Sequence, residues 1–158
     1  MMLAVAERMD EMGFRAMEVI GNGHFKKCIR ELKENPWDRI SLVAERARRT
    51  PLAFMMLASV TTFDVTPYAL VRLYIQRLAA RGIRRIQVME SSNDLNNRIP
   101  TVIGFMREAS MQPALALVYS LSPRHTDEHY AAKTRDAVKL SPDVIYLKDP
   151  PDCSRRSV

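Results

Sequence analysis

"LAFMML", Leu52–Leu57, is six consecutive residues without one polar side chain. A strand with one wet face would alternate polar and apolar residues, and six residues are too few for a buried helix. The run therefore predicts a strand covered on both faces, which is the habit of parallel sheets flanked by helices. "ALALVY", Ala114–Tyr119, repeats the pattern further along.

Working outward, helices and short strands alternate. Leu3–Met12 is predicted helical, with Val5, Met9 and Met12 on one face and Gly13 as its stop. Ala16–Ile20 is a predicted strand, followed by the loop "GNG". In His24–Leu32 the residues Phe25, Cys28, Ile29 and Leu32 share a helical face. Asn35 caps the next helix, with Pro36 at its first position, where a missing N–H is harmless. Leu52–Leu57, Arg85–Glu90, Pro113–Tyr119 and Asp143–Lys148 complete five strands. Between them come helices at Pro67–Arg81, around Ile99, Val102, Ile103 and Met106 (capped by Asn96 or Asn97), and at Asp127–Leu140.

Strand starts recur about every 30 to 35 residues, the spacing of βα units in a (β/α)8 barrel, which needs roughly 250 residues for eight units. A chain of 158 residues with five strands is expected to be a partial TIM barrel of the α/β class, spanning residues 1–150. A doubly wound five-stranded sheet is the alternative, but "GNGHFK" lacks the third glycine of a dinucleotide fingerprint.

Composition narrows the function. With 47% apolar and 27% charged residues, the chain is of globular type. No apolar run spans a membrane, and Glu7, Arg8, Asp10 and Glu11 interrupt any signal-peptide core, so a cytoplasmic location is expected. Cys28 and Cys153 form neither a metal spacing nor a disulfide framework. The net charge of +6 gathers at Arg46–Arg49 and Arg81–Arg85, at helix ends, without interleaved aromatics. That is a solvated basic rim and not a nucleic-acid surface.

"EVIGNGHFKKCIRELKENPWDRI", Glu18–Ile40, resembles the carboxyltransferase domain of biotin-dependent enzymes: pyruvate carboxylase, its form with a separate carboxyltransferase subunit, and the oxaloacetate decarboxylase alpha subunit. Their pattern runs E-V-W-G-G-A-T-F, then C-I-R-F-L, then E-D-P-W-E-R-L. "QVMESSND" (Gln87–Asp94) is similar to R-V-F-D-A-L-N-D, "YSLSPRHT" (Tyr119–Thr126) to Y-T-T-S-P-V-H-T, and "YLKDP" (Tyr146–Pro150) to the family's K-D strand end.

The resemblance implies a TIM barrel that passes a carboxyl group between carboxybiotin and a 2-oxo acid enolate such as that of pyruvate. It implies a divalent metal (zinc, manganese or cobalt) at the strand ends, and biotin on a partner domain or subunit. A biotin carboxyl carrier and a biotin carboxylase are the implied partners. Lys148 matches the lysine that the family carbamylates to ligate the metal. Glu90 stands where the family has aspartate. Ala58 and Ser59 stand in place of the substrate-binding arginine of L-L-R-G, and Asn22, Gly23 and His24 replace G-A-T. The family's metal-binding D-T-T-L-R-D strand would precede Met1, and its H-x-H pair would follow Val158. The chain alone is accordingly expected to be inactive, to hold no metal tightly, and to self-associate through open sheet edges. A non-catalytic remnant and a related metal-dependent lyase or aldolase are the alternatives.

Pro151–Val158 has neither apolar periodicity nor a cap, and is expected to be an unstructured tail. One choice of codons for it, read two bases later, encodes Gly-Leu-Leu-Ala-Pro-Glu-Arg, the continuation the resemblance implies; a frameshift is the expected cause.

Other constellations are weaker. Glu90, Asn93 and Asp94 follow a strand and belong on the functional face of a barrel. Glu90 reads equally as an acid/base group, as support for the site, or as a cap for the next helix. His125 and His129, four apart, lack a third ligand and read as polar residues at a helix entrance. Ser122 lacks a histidine–carboxylate arrangement. Met55, Met56, Met106 and Met111 read as core filling.

Overall fold

The computed structural model of the chain describes residues 2–59 and 66–149. The element order is α1 (Met2–Glu11), β1 (Met17–Gly21), α2 (Asn22–Lys27) with a π-helical turn (Cys28–Leu32), and α3 (Pro36–Arg46). Then come β2 (Leu52–Leu57), α4 (Tyr68–Ala80), β3 (Ile83–Met89), α5 (Arg98–Glu108), β4 (Gln112–Val118), α6 (Asp127–Lys139) and β5 (Val144–Lys148). The expected tail at 151–158, and Cys153 with it, lie outside the described residues, as does most of the connection after Ser59.

All five strands pair in parallel, in the order β1-β2-β3-β4-β5. A doubly wound sheet reverses direction at a switch point. Here each step advances the same way, and right-handed crossovers then place every helix on one face. That is an arc of a barrel.

Strand registers sort the side chains into two faces. Phe54, Ile86 and Pro113 form one outer row, and Met56, Val88, Leu115 and Ile145 the next. These rows meet the helices: Phe54, Met56, Ile86, Val88 and Leu115 are buried, as are Val71, Ile75 and Leu78 of α4 and Ile99, Val102, Ile103 and Met106 of α5. Phe25, Trp37, Phe54 and Tyr74 join edge to face, with ring centroids 5.0–5.8 Å apart. The inner rows are Gly21, Met55, Gln87, Ala114 and Val144, then Leu57, Met89, Ala116 and Tyr146.

The sheet curves toward that inner face. Strands about 4.8 Å apart would put β1 and β5 roughly 19 Å from each other in a flat sheet. Yet the Glu18 carboxylate on β1 adds to burial in pushing the Tyr146 hydroxyl on β5 above the ordinary tyrosine range. Curvature brings the two strands within electrostatic reach.

Several local expectations are corrected. The loop expected at "GNG" is absent: α2 begins at Asn22, directly after β1, and His24 Nδ1 accepts the Gly21 N–H at 3.0 Å. The helix expected at His24–Leu32 widens into the π-helical turn, ended by Lys33 with φ 53°. The wider turn rotates Ile29 and Leu32 outward, 58% and 46% exposed, while Cys28 stays buried. In α1 the inward residues are Ala6 and Asp10, and Met12 is 67% exposed. The reason is Asp10, whose carboxylate accepts the N–H groups of Arg48, Arg49 and Thr50 at 2.6–3.1 Å and so fixes how α1 is rotated. Of the four methionines, Met56, Met106 and Met111 are buried, but Met55 lies half-buried on the inner face. The caps of α3 and α6 form as expected: Asn35 Oδ1 accepts from Trp37 N–H at 3.1 Å, and Thr126 Oγ1 from His129 N–H at 3.3 Å.

Candidate functional site

Parallel strands end together, so the loops after β2, β3, β4 and β5 share one rim of the sheet. Lys148 is the last residue of β5 and pairs in register with Val118. It alternates with Tyr146 and Val144, which places it on the inner row, half-buried. Its carbonyl accepts the Tyr119 N–H at 2.7 Å. The Tyr146 hydroxyl below it is buried and has no hydrogen-bond partner among the described residues.

Glu90 follows β3. Its Oε2 accepts from Ser92 N–H (2.8 Å), the Ser92 hydroxyl (2.5 Å) and Asp94 N–H (2.9 Å). The side chain therefore closes its own loop. It does not cap α5, which begins only at Arg98 after Asn97, a residue whose side chain makes no capping bond. Asp94 continues the loop: the Asn96 N–H and then the Asn97 amide hold its carboxyl below the ordinary 3.8. Glu90 and Lys148 are not joined by a hydrogen bond or ion pair among the described residues. With β4 between them, their strands run about 10 Å apart.

Asn93 does more than its type announced. Buried, with φ 55°, it donates Nδ2–H to Val118 O at 2.8 Å and accepts Val118 N–H on Oδ1 at 2.7 Å. Its side chain thus acts as a short extra strand along the end of β4, while Lys133 Nζ of α6 donates to its carbonyl at 2.9 Å. Tyr130, also of α6, accepts the Ser120 N–H on its hydroxyl at 2.7 Å. Asparagine tolerates left-handed backbone, so the "SSND" turn was a usable signal for Asn93. Nothing in the sequence pointed to Tyr130 or Lys133.

The reading of Ser122 also needs correction. A histidine does stand beside it, with Ser122 Oγ 2.8 Å from His125 Nδ1. The same hydroxyl accepts the Arg124 N–H at 3.2 Å, and the pair is exposed, so it organises a turn. His125 and His129 meet edge to face at 5.2 Å beside Tyr130, with no acidic residue completing a ligand set. Among the described residues no group of three or more His, Cys, Asp or Glu could hold a metal ion. The described residues therefore do not by themselves fit the divalent metal that the resemblance implies. Among them, no helix is long and apolar enough to cross a membrane.

A cavity of about 260 Å³ opens where β2 and β3 end, lined by Leu57, Ala58, Ser59, Met89, Glu90, Ser91 and Arg98.

Comparison with known proteins agrees with this geometry. No family model matches the chain. The B subunit of pyruvate carboxylase from Methanocaldococcus jannaschii is 31% identical over 149 residues, which cover 94% of this chain and 26% of that protein. The 2-oxoglutarate carboxylase large subunit of Hydrogenobacter thermophilus is 28% identical over 149 residues, again 94% of this chain but 23% of that protein. The carboxyl transferase domain of Rhizobium etli pyruvate carboxylase, solved with 3-bromopyruvate, superposes with a TM-score of 0.87 at 20% identity. The superposition covers 94% of this chain and 26% of that one. The chain spans about a quarter of the length of the curated relatives it matches. Over that quarter it is a homologue of the carboxyltransferase domain of the pyruvate carboxylase family, folded as five successive strands of its barrel.

Proposed function

We propose that the chain contributes the β1–β5 arc of a site that moves a carboxyl group between carboxybiotin and a 2-oxo acid. One observation carries the reading: Lys148 ends β5 on the inner row, on the rim shared by the loops after β2, β3 and β4. A carbamylated lysine at that point would present oxygen to a divalent zinc, manganese or cobalt ion. Other ligands would have to come from outside the described residues. Biotin would arrive on a carrier partner, charged by a biotin carboxylase. Glu90 holds the β3 loop in shape through three hydrogen bonds, so its proposed part is to position that wall of the site.

A hybrid tests this. The aligned segment of the Methanocaldococcus jannaschii protein is replaced by residues 2–149 of this chain, and carboxylation of pyruvate is measured in the reconstituted system. The expected hybrid is active, binds divalent metal, and loses both with K148A. A folded hybrid that is inactive, or indifferent to K148A, overturns the reading and favours a non-catalytic remnant. Retained metal with activity independent of carboxybiotin points instead to a lyase or aldolase.

A second reading concerns assembly. Leu147, on the helix-facing side of β5, is 54% exposed, and β1 and β5 each leave one edge unpaired among the described strands. Such edges recruit other chains. The isolated chain is expected to form oligomers in sedimentation, and a monodisperse monomer overturns that expectation.

A further inference from the structure

The cavity at the ends of β2 and β3 contains a cation without a counter-charge. Arg98, the first residue of α5, extends across the rim. Its Nη2 donates to Thr66 O at 2.7 Å, its Nε to Ala58 O at 3.4 Å, and its guanidinium carbon lies 4.7 Å from the centre of the Tyr68 ring. Two carbonyls and a ring face thus fix the plane of the group. Nη1 makes no hydrogen bond among the described residues, although a guanidinium has five donors. Arg98 belongs to none of the ion pairs formed among those residues. A half-buried, oriented guanidinium facing a cavity is suited to a planar anion.

The other walls limit what that anion is. Leu57, Ala58 and Met89 are apolar, Ser59 and Ser91 offer hydroxyls, and Glu90 brings one negative charge of its own. A dianion such as phosphate would be repelled by Glu90, and a large ligand exceeds about 260 Å³. We infer that Arg98 anchors the carboxylate of a small 2-oxo monocarboxylic acid, whose short apolar end packs on Leu57 and Met89 and whose oxo group faces the serine hydroxyls. This deepens the proposed function and rests on it for the choice of a 2-oxo acid; the carboxylate anchor rests on the cavity alone.

Binding is read without turnover, so that an inactive protein still gives an answer. Saturation transfer to the methyl protons of pyruvate is recorded with the whole chain, a method that tolerates oligomers. Pyruvate is expected to saturate and pyruvamide, its neutral isostere, to give no signal. R98Q is expected to weaken pyruvate binding about tenfold or more, the loss of charge-assisted hydrogen bonds, with an unchanged circular dichroism spectrum. Equal signals from pyruvamide, or an unaffected R98Q, overturn the proposal. Should R98Q unfold, the wild-type chain decides: pyruvate must protect the peptide containing Arg98 from phenylglyoxal, read by mass spectrometry. Equal labelling with and without pyruvate overturns it, as does better protection by inorganic phosphate. Protection by acetate but not by pyruvate leaves the carboxylate anchor standing and overturns the 2-oxo acid assignment. Intact pyruvate binding with a catalytically dead hybrid counts against carboxyl transfer alone.

Discussion

The two faces of one sheet have opposite characters. On the outer face Leu117 of β4 is 1% exposed, and Phe54, Ile86 and Val88 are fully enclosed by helices. On the inner face Met55, Leu57, Gln87, Met89, Tyr146 and Lys148 are all half-buried. The same strands supply both rows, so the difference arises from what covers them. The outer face owes its burial to the chain's own crossover helices, whereas the inner face awaits whatever fills the concave side of the arc. Stability accordingly resides outside, and chemistry is expected inside and at the rim.

The largest expected effect breaks the outer face. F54A empties the centre of the Phe25–Trp37–Tyr74 cluster and is expected to cost about 3–5 kcal/mol in urea unfolding. M55A, one residue away on the inner face, should cost well under half of that; equal losses would erase the distinction between the faces. Gly82 comes next. At φ 102° an added Cβ would lie 2.6 Å from Ala44 Cβ, where α4 turns into β3 against α3. G82A is expected to cost about 1–3 kcal/mol through left-handed strain and overpacking, and an unchanged midpoint would refute that close approach.

At the rim, N93A removes both hydrogen bonds to Val118 and leaves a part-buried N–H and C=O unpaired. The expected loss is about 1–3 kcal/mol, with faster amide exchange at Val118 as the specific readout. Protection unchanged at Val118 would deny Asn93 its role as a surrogate strand.

Asp10 gives a pH signature. Burial pushes its carboxyl up, but hydrogen bonds from Thr50, Arg49 and Arg48 outweigh burial and hold it below the ordinary 3.8. A depressed folded value means stability that is fully present above the unfolded value and lost as pH falls through the folded one. D10N should therefore be less stable than wild type at neutral pH, with the gap closing below about pH 4. A gap constant down to acid unfolding would show that the charge is immaterial. The smallest effect is expected at Lys148: K148A should shift stability within about 0.5 kcal/mol, because its side chain supports no packing, while removing the proposed metal ligand. A large destabilisation would make Lys148 a structural residue.

The strands were legible because uninterrupted apolar runs such as Leu52–Leu57 report burial on both faces, and all five expected strands exist within a residue or two at either end, β3 beginning two residues early at Ile83. The motifs around Glu18–Ile40, Gln87–Asp94 and Tyr119–Thr126 likewise carried the relationship to carboxyltransferases, since short local patterns survive in a single sequence. Lys148 could be picked out on the same ground, by its place at a strand end.

Other features were not legible. That Ile29 and Leu32 face solvent follows from a π-helical turn, and a single extra residue per turn leaves the apolar spacing unchanged while rotating the face. The rotation of α1 was hidden because Asp10 looks like a surface acid until Thr50, forty residues later, folds against it. Arg98 reads as one basic residue among many, and its orientation comes from Ala58, Thr66 and Tyr68 on a different βα unit. Sequence by itself determined the order, type and parallel pairing of the elements, because those follow from local periodicity and right-handed connection. Only the tertiary structure decided which charges are capped, stacked or left facing a cavity, because those depend on contacts between residues far apart in the chain.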